Sequence, residues 1–229
     1  MDWVRASSEI EGIGCPDALW EQSVRLFSEA DFGALISLSS NAHRTNVTLR
    51  TNVPELYEGM PPEHDPFLEH CCSSYEVTRV GAGYLPNYDY LPEPAKEFIR
   101  RCAAIGFETG FGIPVRLEGA TRFGGFILGS ALSVEALERK RAPQIDAIRA
   151  FCLLLYRRFE ELTSENSKAL NDLSPRERDV IQLLIQGATR KEIARALDLS
   201  PNTVAEYTKT AYRKLGVRNK VEATRKLAS

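Results

Sequence analysis

The chain has 229 residues, room for one large domain or two smaller ones, and its 43% hydrophobic and 26% charged residues exclude disorder as the main state. The longest strongly apolar run, Phe151 to Tyr156, is far too short to span a bilayer, and Met1-Asp2-Trp3-Val4-Arg5 lacks the basic-then-apolar order of a signal peptide. The expectation is a cytoplasmic protein with no membrane partner. The net charge of −2 conceals an asymmetry: 12 of the 29 basic and 6 of the 31 acidic residues lie from Leu173 onward, a local charge of +6 that leaves −8 upstream. A small basic module joined to a larger acidic part implies that the carboxyl end alone meets a polyanion.

Taken in chain order, Asp17 to Ala30 reads as a helix with Leu19, Trp20, Val24 and Phe27 on one side. Phe32 to Ser39 and Asn46 to Val53, short and rich in apolar or β-branched residues, read as strands. Asp65-Pro66 opens a helix through Cys72, and Pro92 to Ile105 forms another with Ala95, Phe98, Ile99 and Cys102 inward. Thr109 to Leu117 and Phe123 to Leu132 read as an antiparallel hairpin turning at Glu118-Gly119-Ala120-Thr121. The whole is an α/β sheet with helices on its faces.

Ser133 begins a long helical region broken at Pro143. Its stripe of Ile145, Ile148, Cys152, Leu155 and Phe159 either covers the domain's own sheet or forms part of a dimer interface. The polar stretch after Leu162 reads as a linker, which divides the chain into residues 1–162, a linker at 163–172 and a module at 173–229.

Four helix starts are written into that module. Ser174-Pro175-Arg176-Glu177 and Thr189-Arg190-Lys191-Glu192 are capping boxes, Ser200-Pro201 repeats the cap and proline, and Asn219 opens the last helix. Helix, short turn at Asp198-Leu199-Ser200, and helix is the geometry of a helix-turn-helix reader of double-stranded DNA. The residues left outside the third helix's core are Asn202, Thr203, Glu206, Lys209, Thr210 and Arg213, and Thr189 and Lys191 open the second helix. These hydrogen-bonding and basic groups suit base edges and phosphates.

Leu173-Ser174-Pro175-Arg176-Glu177-Arg178, Gly187 to Ala194, Ser200 to Val204 and Lys214-Leu215-Gly216-Val217 closely resemble the DNA-binding domain of LuxR-type regulators. Upstream, Thr51-Asn52-Val53-Pro54, Asp65-Pro66 and Ile105 to Val115 resemble the autoinducer-binding domain of quorum-sensing LuxR-type proteins, which implies an α-β-α sandwich with a mainly antiparallel sheet in front of a small all-α four-helix domain. The resemblance implies an acyl-homoserine lactone or related small ligand, with Asp65 accepting from the ligand amide, Tyr57 standing where the family carries an indole donor, and Ser130 near the acyl carbonyl. It also implies a homodimer on a near-palindromic operator. The alternative within the family is a regulator or anti-activator that binds no lactone.

Other classes fit less well. The first strand is not followed by the acidic pair of a phosphorylated receiver domain. G-x-S-x-G, H-E-x-x-H and a phosphate loop are all missing, so no catalytic residue and no cofactor is expected. His64-Asp65 and Glu69-His70-Cys71-Cys72 lack zinc-site spacing, and five cysteines with no C-x-x-C read as reduced thiols.

Overall fold

Alternating apolar residues in Ala34–Asn41 (β1) place Ala34, Ile36 and Leu38 on one face of a sheet and Leu35 on the other. The computed structural model of the protein describes residues 1–41, 46–115 and 122–227. These fall into two compact units, Met1–Glu11 with Glu21–Tyr156, and Gly12–Trp20 with the chain from Arg157 on.

The first unit is built on five strands, β1 with Thr48–Thr51 (β2), Thr78–Val80 (β3), Thr109–Pro114 (β4) and Arg122–Ser130 (β5). Their order is β2-β1-β5-β4-β3 and every neighbouring pair is antiparallel. The expected hairpin is present, with Phe111 opposite Leu128 and Ile113 opposite Phe126. Its turn at Glu118 to Thr121 lies outside the described residues.

Helices cover both faces. On one, Trp3–Glu11 (α1), the second half of Pro16–Glu29 (α2) and the start of Ile145–Asn171 (α6) bring an aromatic stack onto the sheet. Phe27 meets Phe151 at 5.6 Å and Phe32 meets Phe111 at 6.1 Å, both edge to face. Trp3 adds its ring to Phe151 at 5.3 Å. Ile148, Cys152 and Leu155 are buried here, so the stripe on α6 covers its own domain. Buried within a single chain, these side chains do not form a dimer interface. Phe159, further along, contacts Trp20 within the second unit.

On the opposite face Pro66–Ser73 (α3) and Glu93–Ala104 (α4) pack Phe67, Leu68, Cys71, Phe98 and Cys102 against Ile36, Leu38 and Ile127. Here the sheet is nearly bare, because β4 and β5 present Gly110, Gly112, Gly125 and Gly129. A β-carbon on Gly112 would lie 2.2 Å from the Phe67 ring, and one on Gly129 would lie 2.6 Å from that of Phe107. The glycines thus let two aromatic rings rest directly on backbone. Val134–Lys140 (α5) follows β5, and a single 3₁₀ turn at Ala142–Gln144, containing Pro143, separates it from α6. The stretch 163–172, expected as a connection, is helical through Asn171.

The second unit contains the four capped helices Pro175–Ile185 (α7), Arg190–Leu197 (α8), Pro201–Leu215 (α9) and Lys220–Leu227 (α10). Both capping boxes are complete: Ser174 accepts from the Glu177 amide while Glu177 accepts from the Ser174 amide, and Thr189 and Glu192 do the same. Asp198 ends α8 with φ 54°, in the left-handed region, and starts the tight turn into α9. Val180, Ile193, Ala194 and Val204 close one core, joined by Tyr207, while Leu173, Ile181, Ala211 and Leu215 close the other.

Candidate functional site

Asp65 is the N-cap of α3 and is 2% exposed. One carboxylate oxygen, Oδ1, accepts from the Phe67 amide at 2.8 Å. The other, Oδ2, accepts from the Tyr57 hydroxyl at 2.6 Å. Helix capping and a buried polar contact therefore use the two oxygens of one side chain. Burial raises the Asp65 pKa to about 6, against the opposing pull of the hydrogen bonds from Tyr57 and the α3 backbone. The same burial, together with the neighbouring carboxylate, pushes the Tyr57 hydroxyl up and the Cys102 thiol up to about 12.

Asp65 lines a cavity of about 80 Å³ whose walls include Phe67, Phe98, Ile99, Cys102, Phe107 and Ile127. A few polar groups among apolar walls is the usual make-up of a small-molecule pocket. Tyr88 and Tyr90 line its rim. The segment carrying them is tied down by Tyr88, whose hydroxyl donates to the Arg79 carbonyl. Arg79 in turn makes a two-pronged contact with Glu138 of α5 at 2.9 and 3.0 Å, and Tyr84 donates to the same carboxylate at 2.8 Å.

The structure thus brings together two of the three residues expected at a ligand. Tyr57, expected to offer its hydroxyl to a ligand carbonyl, gives it to Asp65. Ser130 lies elsewhere: its hydroxyl donates to the Asp31 carbonyl at 2.6 Å and its oxygen accepts from the Leu132 amide at 3.2 Å. It faces a separate recess with Ser28, Asp31 and Ile105. Among the described residues no three His, Cys, Asp or Glu side chains form a metal-binding group, and no helix is long and apolar enough to cross a membrane.

In the second unit, Asn202, Glu206, Lys209 and Arg213 are exposed along α9, and Thr210 is half-buried beside them. Thr203 is committed to the helix start, its hydroxyl lying 2.8 Å from that of Ser200. Thr189 is likewise held by Glu192 at 2.8 Å, while Lys191 is exposed on α8. Lys214 points away to Glu177 at 2.7 Å and helps hold that carboxyl below its usual range. Two cations missed in the sequence, Arg190 and Arg218, line the same recess as Lys209 and Arg213. Only the folded module brings them together.

Residues 171–227 match the family model described as GerE, bacterial regulatory proteins of the luxR family. The carboxyl-terminal module is a LuxR-type helix-turn-helix domain. The family is one of regulatory proteins and not of enzymes. NarL of Escherichia coli, a nitrate/nitrite response regulator, is 31% identical over 90 residues, 39% of this chain and 42% of NarL. BjaR1 of Bradyrhizobium diazoefficiens, a transcriptional activator, is 31% identical over 141 residues, 59% of this chain and 54% of BjaR1. That alignment is longer than the LuxR-type module itself. The chain therefore spans about half the length of these curated relatives. Among solved structures, CepR2 of Burkholderia cenocepacia, described as an N-acylhomoserine lactone-dependent LuxR family factor, superposes with a TM-score of 0.53 at 14% identity, covering 69% of this chain and 96% of CepR2. The likeness to CepR2 is one of fold.

Proposed function

We propose that this chain is a transcription regulator that binds duplex DNA through α8 and α9 and senses a small acyl ligand in the cavity at Asp65. The observation that carries the sensor reading is the buried carboxylate at the edge of an apolar cavity, a polar anchor among apolar walls that suits a ligand with an amide donor and an apolar tail. An acyl-homoserine lactone has that amide and an apolar tail. Its binding requires the amide to share or displace the hydroxyl of Tyr57 at Asp65 Oδ2. The regulator acts as a homodimer on a near-palindromic site in the cytoplasm, because paired half-sites multiply the modest contact area of one helix-turn-helix.

A second reading rests on the same contact. With both Asp65 oxygens already bonded and about 80 Å³ of space, the domain is complete without a ligand, and the regulator acts constitutively or as an anti-activator.

The test is fluorescence anisotropy of the full chain on a duplex selected from a random library, with and without a panel of acyl-homoserine lactones. Ligand-dependent DNA affinity supports sensing. DNA binding indifferent to the whole panel favours the second reading, and no binding to any duplex refutes both.

A further inference from the structure

We propose that Gly81 to Leu91 is a strap across the mouth of the Asp65 cavity, latched shut by the Glu138 carboxylate of α5; only the identity of what enters beneath it rests on the sensor reading above. The strap leaves β3 at Gly81, passes through a 3₁₀ turn at Ala82–Asn87 and ends just before α4. Its two sides have different partners. Gly81, Tyr88, Tyr90 and Leu91 line the cavity. Tyr84 stands outside the cavity, is buried, and donates to Glu138 Oε1 at 2.8 Å.

The cavity needs a moving part. Phe67, Cys102, Phe107 and Ile127 in its walls are at most 5% exposed, so a molecule reaches them only when a covering segment shifts. α3 and α4 bury Phe67, Leu68, Cys71, Phe98 and Cys102 in one core, and shifting either helix would cost that packing. Between Ala82 and Leu91 only Tyr84 is buried, which makes the strap the part that moves at least cost.

Polar bonds hold the strap. Its start is pinned: the Gly83 amide donates to the Glu108 carbonyl at 2.9 Å, and Gly81, at φ 106°, passes so close that a β-carbon there would lie 2.5 Å from the same oxygen. Beyond that hinge the hold passes through side chains. Tyr84 reaches Glu138, the Tyr88 hydroxyl donates to the Arg79 carbonyl, and Lys96 donates to the Asp89 carbonyl at 3.3 Å. Glu138 also accepts from Arg79 Nε at 2.9 Å and Nη2 at 3.0 Å, so one carboxylate ties strap, edge strand and α5 together. Arg79 is fixed to the sheet by the pairing of β3 and by the Phe111 ring, 5.6 Å beneath its guanidinium. The Arg79 and Glu138 side chains are 40% and 37% exposed, so dissolved salt screens their attraction. The latch is therefore the part of the closure that yields first. A molecule that displaces Tyr88 or Tyr90 on the inner side is felt at Glu138 on the outer side.

The test uses the full chain without any lactone and two thiols within it. Cys102 lines the cavity, whereas Cys152 is buried against the opposite face of the sheet, and burial pushes both thiols up. Labelling by iodoacetamide, followed peptide by peptide in a mass spectrometer, thus reports cavity opening at Cys102 and general unfolding at Cys152. Glu138→Gln and Tyr84→Phe each accelerate Cys102 labelling on the order of 5-fold and leave Cys152 unchanged. The double variant is no faster than the quicker single one, because both changes release the same bond. Raising salt from about 0.05 to about 0.5 M accelerates Cys102 labelling in the wild type but not in Glu138→Gln. Unchanged Cys102 labelling in both variants overturns the strap, as does an equal acceleration of Cys102 and Cys152. Because no lactone enters the measurement, failure of the sensor reading leaves this result as it stands.

Discussion

Replacing Asp65 by Asn tests the buried carboxylate directly. Asparagine keeps the side-chain oxygen that caps the Phe67 amide, and its nitrogen donates to the Tyr57 oxygen, so the local geometry survives. What is lost is the charge. A carboxyl at about 6 in the folded protein and at 3.8 when solvated holds its proton more tightly when folded. Its contribution is therefore fully favourable below the solvated value, falls as pH rises between about 4 and 6, and stays low above that. The difference of about two pKa units corresponds to on the order of 3 kcal/mol. The variant accordingly gains stability over the wild type by about that amount on going from acid to neutral pH. The assay is urea unfolding of the full chain at half-unit steps from pH 4 to 7.5, followed by Trp3 fluorescence in a Trp20→Phe background. Trp3 is buried against Phe27 and Phe151 and reports on the first unit. A stability difference that stays flat across this window refutes the assignment of a raised carboxyl at this site.

Two further predictions concern the same unit. Ser130→Ala removes a donor to the Asp31 carbonyl and an acceptor for the Leu132 amide, costing about 1–3 kcal/mol in thermal unfolding while leaving DNA affinity unchanged. Gly112→Ala drives a methyl into the Phe67 ring and destabilises by about 1–3 kcal/mol, and Phe67→Leu in the same chain recovers part of that loss; full additivity of the two changes would contradict the packing described.

How much could be read from sequence differed between the two units, for a physical reason. In the LuxR-type module the caps at Ser174, Thr189 and Ser200 are local chemistry: each bond closes within three residues, so pattern alone locates the helices. In the first unit the long strands and α3, α4 and α5 were legible from periodicity and proline. β3 was not, because a three-residue edge strand carries almost no pattern and is held by an arginine whose partner lies 59 residues away. α1 was missed although Trp3, Ala6 and Ile10 share one helical side. Asp65 and Tyr57 were both singled out, but their satisfaction of each other is a tertiary fact. Ser130 was placed by resemblance, and its real partner is the carbonyl of Asp31, 99 residues upstream.

The glycines of β4 and β5 carry a consequence for how this cavity can change. Gly112 and Gly129 seat the rings of Phe67 and Phe107, which line the cavity, directly on the strands, and a methyl on Gly110, Gly112, Gly125 or Gly129 would meet an atom within 3.0 Å. These two ring walls are therefore fixed from behind, and substitutions at the glycines are barred by sterics before they alter selectivity. The opposite wall has no such restriction, since Phe98, Ile99 and Cys102 are side chains on one helix and can be exchanged for others of different size. Divergence in what the cavity accepts is channelled into α4, and a mutational library aimed at new specificity needs to sample only that helix and the rim at Tyr88 and Tyr90.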